Sequence, residues 1–337
     1  MKTRKKYIGL TMFDFLKGLG ILLVLVRHST EGMHYWLEQE IWTVLYSVLM
    51  PMFFVTSGYW LKKRRFWEGT KLSARLFLKP YLIVIGCING VGLVHRGLQH
   101  NLDEWVSLFL RPSLLVMSGN NTRIGFLWFI FALMMGWILF YGLIQIPSQK
   151  LQILASLLVA WAGTMLLPYR LPFQLAQGMI AQIFVLMGFL LKKNKVLERQ
   201  IPPFILIGLT IVWLAGVRFC FPEQMGDLAM YEYGNGMPAV LCSMCGAWLS
   251  IWVGIRINAA ENVVVEKIGQ IGRYTMWILC AHSFEATVVP WNVLTVIAPE
   301  QTWTYCILKL VLRSIFVFMV CILLSKLGGN KHAGKNH

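Results

Sequence analysis

The chain has 337 residues, 57% of them hydrophobic and 14% charged, and a formal net charge of +16. Its mean hydropathy of +0.61 excludes an ordinary soluble domain. Continuous apolar windows of about 20 residues, each long enough to span a bilayer as a helix, take the place of the shorter alternating strands of a membrane β-barrel.

Ten windows predict spans near 10–30, 41–61, 80–98, 124–144, 151–168, 174–191, 201–219, 237–257, 274–297 and 303–325. The first is too polar for a signal peptide, and no small-residue cleavage site follows it. With the N-terminus placed in the cytoplasm, 22 of the 31 Lys and Arg residues fall in inner segments and five in outer ones. The other four, Lys17, Arg27, Lys309 and Arg313, lie within spans. This asymmetry follows the positive-inside rule and predicts both termini in the cytoplasm. The basic excess therefore reads as topology, with attraction to anionic membrane lipids second and nucleic acid excluded as a partner. The expectation is an all-α polytopic bundle, one domain over residues 1–337, lying as a multi-pass protein in the cell membrane. No internal repeat is evident, which weighs against inverted-repeat transporter architectures.

Span one carries FDFLKGLGILLVLVRHS, Phe13–Ser29. Lys17 and His28 are about three helical turns apart, roughly 16 Å along one face, and Asp14 joins the same stripe one turn earlier. Ionisable groups inside hydrocarbon are expensive and face a bundle interior, a partner or a polar cavity. An imidazole titrates near neutrality and is suited to taking a proton from a hydroxyl nucleophile. The alternatives are a structural histidine and an Asp14–Lys17 pair that anchors the helix. Gly18 and Gly20 permit close approach of another helix or of a ligand chain. Arg27 points about 100° away from His28 and is placed to snorkel to the outer headgroups. His34 falls in the first outer loop.

Span two ends in Met50-Pro51-Met52-Phe53-Phe54-Val55-Thr56-Ser57-Gly58-Tyr59. Its proline predicts a kink and Ser57-Gly58 a tight contact. A basic inner loop, Lys62–Lys79, follows and holds Lys62, Lys63, Arg64, Arg65, Arg75 and Lys79. These suit a phosphate-bearing cofactor, although positive-inside bias alone explains such charges. His95 and His100 read as interfacial. Two outer loops are predicted, Gln99–Arg123 and Phe221–Gly236. The second holds Glu223, Asp227, Glu232, Tyr231 and Tyr233, a composition that suits a sugar-like acceptor or a plain solvated loop.

Cys242 and Cys245 form a CxxC without a second pair or a histidine at metal spacing. The seven cysteines read as buried membrane residues. Residues Asn258–Arg273 predict a short interfacial helix. In span nine His282 and Glu285 lie one turn apart, and in span ten so do Lys309 and Arg313. These cations are placed to contact phosphate or carboxylate, or to balance Glu285.

Taken together, three segments resemble the acyltransferase 3 family of integral membrane acyltransferases, most closely its fucose 4-O-acetylase-like branch. They are Lys17 to His28 preceded by Asp14, MPMFFVTSGYWLKKR (Met50–Arg64), and LFLKPY (Leu76–Tyr81). LWF (Leu127–Phe129) and MWILCAHSF (Met276–Phe284) add weaker echoes. Where the family favours arginine this chain has Lys17, which keeps the cation but loses the bidentate fork. The resemblance implies transfer of an acyl group, acetyl above all, from cytoplasmic acetyl-CoA to a hydroxyl of a carbohydrate or lipid-linked glycan. It implies His28 as general base, with Lys17, Arg64, Arg75 and Lys79 near the CoA phosphates and Ser57 or Tyr59 as an oxyanion donor. An acyl-histidine intermediate is a variant of this scheme, and a transporter of a small polar substrate is the competing class.

Overall fold

A computed structural model describes residues 2–31, 36–118, 125–199, 201–221, 228–258 and 262–328. They form thirteen α-helices, and among the described residues there is no strand. In chain order these are α1 (Lys2–Thr30), α2 (Trp36–Tyr59), α3 (Phe66–Leu98), α4 (Leu102–Trp105), α5 (Arg111–Met117), α6 (Trp128–Leu143) and α7 (Gln149–Leu166). They continue with α8 (Leu175–Lys193), α9 (Pro203–Cys220), α10 (Met237–Asn258), α11 (Val263–Gly272), α12 (Thr275–Val288) and α13 (Trp303–Leu327).

Among the described residues, seven helical segments are long and apolar enough to cross a membrane: Glu40–Tyr59, Phe66–Leu98, Gln149–Tyr169, Pro172–Lys193, Pro203–Cys220, Met237–Ile257 and Trp303–Leu327. Three of the ten sequence-predicted spans fall outside this set. In α1 the apolar stretch carries Asp14, Lys17 and Arg27; α6 has 16 residues and α12 has 14. These helices are held by packing. Residues 277–283 of α12 are buried without a break, and nine residues of α6 are buried around its whole circumference.

Glycine sets the closest crossings. A Cβ on Gly18 would lie 2.0 Å from the Ile268 carbonyl oxygen, and one on Gly272 would lie 1.7 Å from that of Asp14. Helices α1 and α11 therefore touch backbone to backbone. Gly58 and Gly188 do the same for α2 and α8, each 2.1 Å from a carbonyl of the other helix. This is the small-residue packing expected where apolar lipid gives no hydrophobic drive for helices to associate. Polar pairs add to it: Ser156 Oγ donates to Gln182 Oε1 (2.7 Å) between α7 and α8.

Two predicted loops are helical. The basic inner segment 62–79 is a loop only as far as Arg65, because α3 begins at Phe66. Its exposed Lys71, Arg75 and Lys79 repeat every fourth residue, while Gly69, Ser73 and Phe77 are buried on the opposite side. The charges mark one face of an amphipathic helix. Of the predicted outer loop 99–123, residues 102–117 fold back along α3 as α4, a π-helical segment (Val106–Leu110) and α5, and residues 119–123 lie outside the described residues. Trp105 Nε1 donates to the Asn89 carbonyl (3.0 Å), and Tyr81 Oη donates to that of Ser113 (2.7 Å). Asn89 Nδ2 also donates to Ser113 Oγ (2.9 Å), and the Phe109 ring fills the space that Gly92 leaves. This hairpin exposes Leu102, Val106 and Leu114.

In the loop 221–236, Glu223 and Asp227 lie outside the described residues. Tyr231 and Tyr233, read as possible sugar contacts, are buried. Tyr233 Oη donates to Ser243 Oγ (2.8 Å), and burial pushes its phenol well above the ordinary value. The Arg170 guanidinium lies 5.0 Å from the Tyr231 ring centre. Both tyrosines thus serve the fold. His34 also lies outside the described residues. The seven cysteines are free thiols, four of them buried and three half-buried.

Candidate active site

One continuous helix, α1, carries both Lys17 and His28. At one end of it, Asp14 is buried and its Oδ1 meets Lys17 Nζ at 2.8 Å. Asp14 Oδ2 accepts from Arg273 Nε at 3.4 Å. Arg273 follows α11, so the backbone contact between α1 and α11 delivers this second cation. Lys17 keeps 28% of its side-chain exposure. The carboxylate therefore holds two cations in place while leaving one of them partly accessible.

The end of α2 lies at the same level. The Tyr59 and Phe13 ring centres are 4.3 Å apart, and Lys192 Nζ sits 4.8 Å from the Trp60 ring centre. Ser57 Oγ donates to the Phe54 carbonyl (2.8 Å) and accepts from Trp137 Nε1 (3.2 Å). Arg64, Arg75 and Lys79 are exposed. Phe13 and His28 are fifteen residues apart on α1, about 22 Å of helix rise. Ser57 and Tyr59 thus stand beside the Lys17 end of α1, at the opposite end of the helix from His28. The Ser57 hydroxyl proton is in addition engaged within its own helix.

At the other end of α1 the bundle assembles a second cluster. The His28 and His282 ring centres are 5.2 Å apart. Phe126 stacks on His282 at 4.6 Å with an interplanar angle of 14°, and lies 4.2 Å from His28. On α12, His282 Nδ1 and Glu285 Oε2 are 2.8 Å apart, both side chains fully buried. Arg313 of α13 donates from Nε to Glu285 Oε1 (3.0 Å) and from Nη1 to Ser29 Oγ (3.2 Å). The Trp291 indole N–H also donates to Glu285 Oε1, and the Arg313 guanidinium lies 5.5 Å from the Trp291 ring centre. Of the two partners open to Arg313 in the sequence, the structure shows Glu285. Lys309 Nζ lies 5.6 Å from the Tyr305 ring centre instead.

The hydrogen bonds fix the state of His282. A carboxylate held by a guanidinium and an indole is ionised and only accepts, so the nitrogen facing it, Nδ1, carries the proton. Nε2 is then a bare lone pair, and it is buried without a hydrogen-bond partner. His28 Nδ1 is likewise buried and unpartnered; the Glu31 carboxylate lies 3.5 Å away, an ion-pair distance without hydrogen-bond geometry. Arg27 points aside, with its guanidinium 5.7 Å from the Trp42 ring centre. Among the described residues no group of three His, Cys, Asp or Glu side chains converges to hold a metal ion.

The sequence offered no signal for Phe126, Trp291 or Ser29, whose types are common in apolar helices. Arg273 and Glu31 were visible only as charges near helix ends. Comparison with known proteins adds one finding: a family described as an acyltransferase domain matches residues 11–327. No curated protein and no solved structure matches.

Proposed function

The chain belongs to the acyltransferase 3 family of membrane acyltransferases, and on that premise we propose that it moves an acetyl group from acetyl-CoA to a hydroxyl of a carbohydrate or lipid-linked glycan. A fucose-like acceptor follows from the branch its motifs resemble most. The observation that carries this reading is a single helix with a cation at one end and, at the other, a two-histidine cluster in which His282 is buried and His28 half-buried.

The donor enters at the Lys17 end. Lys17, together with the exposed Arg64, Arg75 and Lys79, would hold the CoA phosphates by charge-assisted hydrogen bonds, with Ser57 and Tyr59 beside them. The distance from Lys17 to His28, about 16 Å of helix rise, is that of an extended pantetheine arm, so the thioester reaches the imidazole. His28 takes the proton of the acceptor hydroxyl as its oxygen attacks the thioester carbonyl. Positive-inside bias puts the Lys17 end, both termini and the donor in the cytoplasm, and the acceptor on the opposite side of a cell membrane.

The test uses purified protein in nanodiscs with labelled acetyl-CoA and a glycan extract. Wild-type protein should transfer label, and His28→Ala should lose at least 10²-fold in rate, the usual contribution of a general base. Absence of turnover with any acyl-CoA would discard the enzyme reading and bring the transporter alternative forward, to be measured by substrate uptake into vesicles.

A further inference from the structure

The histidine cluster contains more chemistry than one general base requires. His282 has no exposed surface, so it does not meet an acceptor directly. Yet its Nε2 is a lone pair without a hydrogen-bond partner, and the ring across from it has a buried nitrogen that also makes no hydrogen bond, His28 Nδ1, with the Glu31 carboxylate 3.5 Å away. Two orphaned buried atoms on facing rings satisfy each other if one donates. Leaving each unsatisfied is costly in an apolar bundle. A ring-centre separation of 5.2 Å is closed by a small ring rotation or by one bridging water between two polar atoms.

We propose that Glu285, His282 and His28 form a carboxylate–imidazole–imidazole relay, in which His282 accepts a hydrogen bond, and during turnover the proton itself, from His28 Nδ1. This rests on the acetyl-transfer reading above and assigns a role to His282 within it. Glu285 orients His282, and His282 in turn fixes the tautomer of His28 so that Nε2 of His28 is the free base. As the acceptor oxygen bonds to the thioester carbonyl carbon, its proton passes to His28 Nε2. The proton on His28 Nδ1 passes to His282 Nε2, and the C–S bond breaks to release the CoA thiolate. The thiolate then takes its proton from His28 Nε2, His282 returns a proton to His28 Nδ1, and both rings end neutral. His282 is thus a positioning and proton-accepting residue that acts through His28.

Around this pair the titratable groups are Glu285 on the same helix, Arg313 and Lys309 on α13, and His28 and Glu31 on α1. An acceptor on His28 Nδ1 stabilises the charge that His28 takes up as the hydroxyl loses its proton. Removing that acceptor should therefore lower the turnover rate and move the acid limb of the pH–rate profile to lower pH.

The experiment compares wild type, His28→Ala, His282→Ala and His282→Gln in nanodiscs, measuring kcat, acetyl-CoA affinity and the pH profile. His282→Ala should lower kcat about 10²-fold with acetyl-CoA affinity unchanged, and its acid limb should shift down. Glutamine can donate to Glu285 and accept from His28 but cannot take up a proton, so His282→Gln should retain about a tenth of wild-type kcat. Should the alanine variant fail to fold, as judged by gel filtration, the glutamine variant decides alone. An unchanged kcat in both His282 variants, with His28→Ala inactive, would overturn the relay and leave the acetyl-transfer reading standing. So would a loss that leaves the pH profile unmoved and falls equally on acetyl-CoA affinity. An inactive wild type would remove the acetyl-transfer reading and the relay with it.

Discussion

Glu285 is a carboxylate in an apolar bundle, and it exists there as an ion because three donors reach it, from His282, Trp291 and Arg313. Burying two opposite charges gains little on balance, but removing one partner strands the other in a medium that cannot solvate it. Arg313→Ala should therefore cost about 3–5 kcal/mol, read as a lowered thermal transition in detergent with a fluorescent thiol probe. It also frees Ser29, which accepts from the same guanidinium. Arg313→Lys should lose less, since it keeps the charge while giving up the planar fork that bridges Glu285 and Ser29. At this scale the sequence showed the ingredients without the recipe. His28 was legible through its helical phase with Lys17, and His282 with Glu285 through their one-turn spacing. That the two pairs meet is a tertiary fact, because 254 positions separate the histidines and no local periodicity encodes the contact. The level of Ser57 and Tyr59 along α1 was hidden for the same reason: their proximity to a basic patch was visible, but their place beside Phe13 was not.

Among the elements, α11 has the most to do for its length. Ten residues long, it presses Gly272 and the Ile268 carbonyl against α1 and delivers Arg273 to Asp14. A methyl group at Gly272 would force the two helices apart, since the space is filled by the Asp14 carbonyl. Gly272→Ala should destabilise the protein by about 1–3 kcal/mol, the usual cost of overpacking, and loosen the Asp14 cluster. A control is Gly86→Ala in α3, where a Cβ meets nothing within 4 Å and the thermal transition should not fall. The crossing also shows what two small residues do: Gly18 packs against α11, and Gly20 against Met52 and Phe53 of α2. Apolar windows identified most helices because hydropathy is a one-dimensional property. The first turns of α3 and the hairpin 102–117 give no continuous apolar window, because Lys71, Arg75 and Lys79 in one and Asp103, Glu104 and Arg111 in the other line helix faces.

For the molecule as a whole, the uneven distribution of basic residues predicts an orientation. In a cysteine-free background, Lys63→Cys should resist a membrane-impermeant maleimide applied to intact cells, and Arg170→Cys should react. The opposite pattern would invert the donor and acceptor sides assigned above. The bundle is built from the inside out: α6, α8 and α12 are enclosed by protein, whereas α9 shows a single buried residue, Val217. Phe204, Ile207, Ile211, Val212, Leu214 and Phe219 all face outward. Helix α9 packs along one side, through Trp213 and Gly216 against α10 and α2, and turns the rest of its surface to the lipid tails, so the bilayer's hydrocarbon thickness also bears on its tilt and depth. Solubilisation is then a selective stress. Short-chain detergents should loosen α9 before they disturb the histidine cluster, so a preparation that retains turnover while α9 becomes open to protease has lost its annular lipid, not its chemistry.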